Sequence, residues 1–165
     1  MGYRCRWLAV PASRDRAEVL DQLGLKLTAE RNEEVYDPGF YLVTLPGWLV
    51  IMGDGWDYMD LVDRDQVCRL SSEGHDAIFF YTDDSPMNAE LTGFRDGREV
   101  WSLQYADPEL ERGGELPAAV ATVIDAAGDD VYDALANAGL ALVGFRHDQT
   151  LGSGEHLPIH TVAKK

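Results

Sequence analysis

A chain of 165 residues with 45% hydrophobic composition has material for one full core, as a single domain or a domain with a small appendage. Its net charge of -15 argues against nucleic acid and against anionic membrane surfaces, whose binding needs Lys and Arg. No apolar run approaches the ~20 residues of a membrane-spanning helix.

The opening Met1–Arg6 lacks the layout of a signal peptide, so a cytoplasmic location is expected. Cys5 and Cys68 form neither a disulfide framework nor a thiolate metal site. Arg4 to Val10 reads as a strand closed by Pro11, which cannot donate to a ladder. Ser13 is the expected cap of a helix whose stripe is Ala17, Val19, Leu20 and Leu23, with Gly24 as its stop. Leu25–Thr28 alternates and leaves the helix extended. Phe40–Leu45 and Trp48–Met52 are β runs joined at Pro46-Gly47, as a hairpin or as one bent strand. Gly53 to Asp60 reads as an irregular, acidic, aromatic surface loop. Asp63 then caps a short helix through Val67 and Leu70.

Three strands follow. Ile78–Thr82 is apolar on both alternating sets, which predicts a central strand covered on both faces. Asn88–Arg95 and Arg98–Tyr105 meet at Asp96-Gly97, the strongest short-range hairpin signal, since both turn residues need positive φ. A plain two-residue turn sets Phe94 opposite Glu99, Thr92 opposite Trp101 and Glu90 opposite Leu103. That register places Glu90 on the aromatic core face with Phe94, Trp101, Leu103 and Tyr105. A carboxylate there is desolvated, as in a tuned acid or a ligand group, unless its head reaches solvent from the strand start.

Asp107–Leu116 reads as a charged linker. Pro117 opens a helix that stops near Gly128, and Asp129 or Asp130 caps a second one ending at Gly139. Leu140–Phe145 reads as a strand or extended packing segment. The expected organisation is a single α+β domain over 1–148: a mainly antiparallel sheet, helices packed on one face, and two C-terminal helices. Residues 149–165 are expected as a poorly structured or surface-lying tail.

Catalytic motifs are absent. Gly152-Ser153-Gly154 lacks the flanks of a nucleophile elbow, and Gly53-Asp54-Gly55 continues neither as a dinucleotide fingerprint nor as a P-loop. His156 and His160 have helical zinc spacing, but Pro158 stands between them. Asp54, Asp57 and Asp60 recur every three residues, which fails the alternate-position pattern of a calcium loop. No catalytic residue, metal site or cofactor is assigned. The candidate binding residues are Asp54, Trp56, Asp57, Tyr58, Asp60 and Glu90. Aromatics ringed by carboxylates suit a basic protein, through cation–π contact and charge pairing, unless Trp56 and Tyr58 fold back onto the core.

The segments Cys5–Val10, Val19–Leu25, Leu70–Gly74, Phe94–Ser102 and Gly144–Asp148 are similar to a family of bacterial hypothetical proteins to which no activity is attached, so the resemblance implies no functional residues. In layout and composition the chain also resembles the small acidic immunity proteins that neutralise bacterial toxins. The expected function is a non-enzymatic, acidic protein-interaction domain for a basic protein, of the immunity type in its most specific form. The alternative is a small-molecule or metal-binding domain with a pocket near Glu90, joined by Asp54 or His75. The oligomeric state stays open.

Overall fold

Strand β1 (Arg4–Pro11) buries both of its alternating sets, Cys5, Trp7 and Ala9 on one side and Leu8 and Val10 on the other. A strand apolar on both faces must lie inside a sheet that is covered twice. In the computed structural model, which describes residues 3–31, 39–60, 62–148 and 159–164, that is where it lies. Side chains at 27–31, 39, 56, 57 and 159–164 are outside the description.

The other elements follow in chain order. Helix α1 (Arg16–Gln22) leads to β2 (Leu25–Arg31), β3 (Gly39–Thr44) and β4 (Trp48–Asp54). Two short helices, α2 (Trp56–Met59) and α3 (Arg64–Leu70), precede β5 (Asp76–Asp83), β6 (Asn88–Arg95), β7 (Arg98–Ala106) and β8 (Glu109–Gly114). Then come α4 (Ala118–Asp125), α5 (Val131–Val143) and β9 (Ile159–Lys164). The strands form one sheet in the order β2-β9-β3-β4-β1-β5-β6-β7-β8, with every neighbouring pair antiparallel.

The α+β class, the antiparallel sheet and the two C-terminal helices are as expected. The helical cover is two-sided, however. Helices α4 and α5 bury Val120, Ile124, Leu135 and Ala138 against Trp7, Phe80, Leu91 and Leu103. The short α1 and α3 bury Val19, Leu20, Val67 and Leu70 against Leu8, Ile51, Phe79 and Phe94 on the other face. One-sided packing thus holds for the C-terminal pair alone. Strand β5 is the twice-covered central strand its sequence predicts. The Pro46-Gly47 connection is a hairpin, with Thr44 paired to Leu49, and Asp63 caps α3 through the Asp65 N–H.

Four expectations are corrected. Asp15, not Ser13, caps α1, accepting from the N–H groups of Ala17 and Glu18. The charged stretch after Asp107 is strand β8, paired to β7 with Tyr105 opposite Leu110. Helix α5 runs through Gly139 to Val143 and stops at Gly144, whose φ of 82° is left-handed. Gly139 is there for close approach: a β-carbon on it would stand 2.9 Å from Cζ2 of Trp7. The segment Gly53–Asp60 is the end of β4 plus α2 rather than an irregular loop. Of the tail, 149–158 and 165 lie outside the described residues, while Ile159–Lys164 forms β9 between β2 and β3.

The β6–β7 hairpin has the expected turn, with φ of 55° at Asp96 and 73° at Gly97, and the expected Phe94–Glu99 pair. Beyond that the register shifts: Gly93 pairs with Trp101, Leu91 with Leu103 and Glu90 with Gln104. Val100 is bulged out, half exposed and without an opposite number. One extra residue on one strand reverses the relation between faces. Trp101, Leu103 and Tyr105 therefore share a face with Ala89 and Leu91, and Glu90 sits on the opposite face, away from those aromatics.

Candidate functional site

The sequence-derived candidates divide into three places. Asp54 ends β4 and is only 5% exposed, beside Cys5 in register. Burial is the main cause that holds its carboxyl above the usual range. The same burial pushes the Cys5 thiol up, and the Tyr3 hydroxyl with it. The Tyr3 hydroxyl lies beside Asp54 and Cys5 yet makes no hydrogen bond of good geometry among the described residues. Trp56 and Asp57 begin α2, and their side chains are outside the description. Tyr58 and Asp60 are exposed, with Asp60 3.6 Å from Arg6.

Glu90 stands apart from these. Its carboxylate accepts from Arg64 Nε at 3.1 Å and from Gln104 Nε2 at 3.2 Å. Arg64 also donates to Glu99 at 2.8 Å and lies over the Phe94 ring, 5.1 Å from its centroid. Tyr81, Glu90, Gln104 and Glu111 make one row across β5 to β8. A shallow groove of about 330 Å³ opens along that row, with Glu109 and Tyr105 at its end.

A second cleft, of about 470 Å³, lies at the same end of the sheet on the face covered by α5. Its walls come from distant parts of the chain: Tyr3 before β1, Thr82 and Asp84 at the end of β5, Met87 before β6, Tyr132 and Asp133 on α5, and Arg146–Asp148 after it. The β5–β6 turn is pinned to the chain start by the Asp84 N–H donating to the Tyr3 carbonyl at 2.9 Å. Tyr132 Oη donates to Asp84 and takes a hydrogen bond from Thr82 Oγ1 at 2.7 Å, so α5 is tied to the same turn. Arg146 holds the opposite wall. Its guanidinium meets Asp148 at 2.6 Å and also reaches Asp133 and Asn137. That contact keeps the Asp148 carboxyl below its usual range.

His147 is stacked on Tyr3, with ring centroids 5.1 Å apart, and on Phe80 at 5.4 Å. Burial lowers its pKa, and Nδ1 has no hydrogen-bond partner among the described residues. The cleft thus carries three carboxylates, Asp84, Asp133 and Asp148, against one guanidinium, beside three aromatic rings. Asp84 has no cation partner among the described residues, whereas Asp133 and Asp148 share Arg146.

No protein-family model, curated protein or solved structure matches this chain.

No group of His, Cys, Asp and Glu suited to a metal ion occurs among the described residues. Sequence reading missed the cleft because its residues are separated by up to most of the chain. The available signals were an odd one, the run Asp83-Asp84-Ser85-Pro86-Met87 between two strands, and the Arg146-His147-Asp148 triplet.

Proposed function

We propose that this protein is a non-enzymatic, acidic interaction domain that binds a basic protein through the cleft end of its sheet. The observation that supports it is the cleft itself, where three carboxylates outnumber one guanidinium beside Tyr3, Tyr132 and His147. Such a lining favours cationic side chains by charge and by ring contact. Asp107 adds to the same end, because its N–H meets the Met87 carbonyl across the two neighbouring turns. A partner of the toxin class would make the protein an immunity-type inhibitor. A cytoplasmic setting belongs to this reading, in keeping with Cys5 and Cys68 as free thiols. No helix among the described residues is long and apolar enough to cross a membrane.

The test is thermal melting against a panel of basic proteins, including any toxin encoded beside this chain, at low and high salt. A partner at a hundredfold excess over its dissociation constant adds about 2.7 kcal/mol of stability. Stabilisation erased by salt supports the reading, whereas stabilisation indifferent to salt, or none across the panel, removes it.

A second reading, a small-molecule site, draws on the groove beside Glu90. Stabilisation by a metabolite or divalent metal, lost on Glu90→Gln, would favour it over the first.

A further inference from the structure

The cleft beside α5 is larger than the acidic groove at Glu90, about 470 against 330 Å³, and it carries an exposed methionine in its lining. We propose that it is an anchor pocket for one guanidinium group, an arginine side chain of the partner. The inference rests on the basic-partner reading above and names the group that this site takes.

Charge sets the sign. Asp133 and Asp148 are bridged by the chain's own Arg146, so their charge is partly spent within the wall. Asp84 is exposed, and among the described residues its carboxylate is held by the neutral hydroxyl of Tyr132, which orients it without countering its charge. An anion would meet these three carboxylates across a single guanidinium.

Shape and surface select among cations. An ammonium is a compact, strongly hydrated point charge, whereas a guanidinium is planar, less hydrated, and able to stack on a ring while its edge donates to a carboxylate. Tyr3 and Tyr132 line the cleft together with Asp84, which is bonded to both, through its N–H to the Tyr3 carbonyl and through its carboxylate to the Tyr132 hydroxyl, so rings and carboxylate border the same space. Arg146, already wedged between Asp133 and Asp148, shows that this environment accommodates that geometry.

Met87 supplies the rim. It is 40% exposed, one of three large hydrophobic side chains left in solvent among the described residues, and its φ is 52°. A left-handed turn position favours Gly or Asn, so a methionine there carries a backbone cost. Its flexible, polarisable side chain suits the methylene stem of an incoming arginine.

The test is NMR on protein carrying ¹³C-methyl methionine, with the Met87 signal assigned by its loss in Met87→Leu. The probes are agmatine, which bears a guanidinium on a four-carbon chain, and butylamine, its ammonium counterpart. Agmatine is expected to shift the Met87 methyl and His147 ring signals saturably, and more tightly than butylamine does. Asp84→Asn keeps an acceptor for Tyr132 and should weaken agmatine by about tenfold. Met87→Gly relieves the turn and should also weaken it, so a folding defect in one variant does not decide the matter. Absence of a saturable Met87 shift, equal binding of butylamine, or unchanged agmatine binding by both variants would overturn the proposal. A basic protein that binds wild type and Asp84→Asn equally, and loses both to salt, would keep the basic-partner reading and sink the anchor alone.

Discussion

Gly93 lies against the indole of Trp101 on the neighbouring strand, so closely that a β-carbon on Gly93 would fall among the ring atoms. Trp101 is buried beneath the α4–α5 layer and belongs to the same core as Leu91 and Leu103. The indole lies across the gap a glycine leaves, and the Val100 bulge is what turns it to that side. Gly93→Ala is therefore expected to destabilise the fold by about 1–3 kcal/mol, the usual cost of overpacking a filled core. Urea unfolding of the variant checks this. An unchanged midpoint would mean that the indole moves aside freely.

Gly139 makes the equivalent contact from the helix side. A β-carbon there would come within 2.9 Å of Trp7, which is itself stacked on Phe80 at 5.2 Å and edge-on to Phe145 at 5.8 Å. Alanine would favour helix α5 by roughly 1 kcal/mol over glycine. The clash opposes that gain and wins here, because Trp7 has no room to retreat. Gly139→Ala should lower the melting temperature in the wild-type background and lower it less beside Trp7→Phe. Additive effects in that double-mutant cycle would count against the contact.

These two glycines mark where sequence reading ended. Turns and caps carry local chemistry, so Asp96-Gly97, Pro46-Gly47 and Asp63 were legible, as was β5 with its two apolar sets. A glycine that makes room for a distant tryptophan looks the same as one that ends a helix, so sequence alone places a helix stop at Gly139. The bulge at Val100 has no composition signal, yet it moves Glu90 from the side of Leu103 to that of Gln104 and Arg64. Strand β8 was hidden by its charge, since an edge strand carries the polar residues that a linker does. The cleft was invisible because Tyr3, Asp84, Tyr132 and His147 meet only once the sheet and α5 are assembled.

Arg64 joins Glu90 and Glu99 while lying on the Phe94 ring, so it does two jobs that a lysine cannot do together. Arg64→Met removes the cation and leaves Glu90, whose side chain is 13% exposed, without its ion pair. A loss of about 1–3 kcal/mol is expected, and Arg64→Lys should recover only part of it. Chemical denaturation of both variants measures this. Full rescue by lysine would show that charge alone matters at this position.

His147 predicts an acid-sensitive fold. Its imidazole is buried between Tyr3 and Phe80, and desolvation lowers its pKa from 6.5, opposed by Asp148 and assisted by Arg146. The unfolded chain takes up this proton near 6.5, while the folded chain resists it until lower pH. Between those two values the unfolded state binds more protons, so stability falls as pH falls, and it is complete only above 6.5. His147→Phe keeps a ring in the stack and removes the titration. Unfolding midpoints of wild type and variant should therefore converge or cross as the pH is lowered through that window, with wild type losing more. Asp84, Asp133, Asp148 and Arg146, the charged groups that act on the ring, are present in both proteins, so the difference between the two profiles reports the imidazole. Parallel profiles would show that the imidazole takes up its proton in the folded state as readily as in the unfolded one.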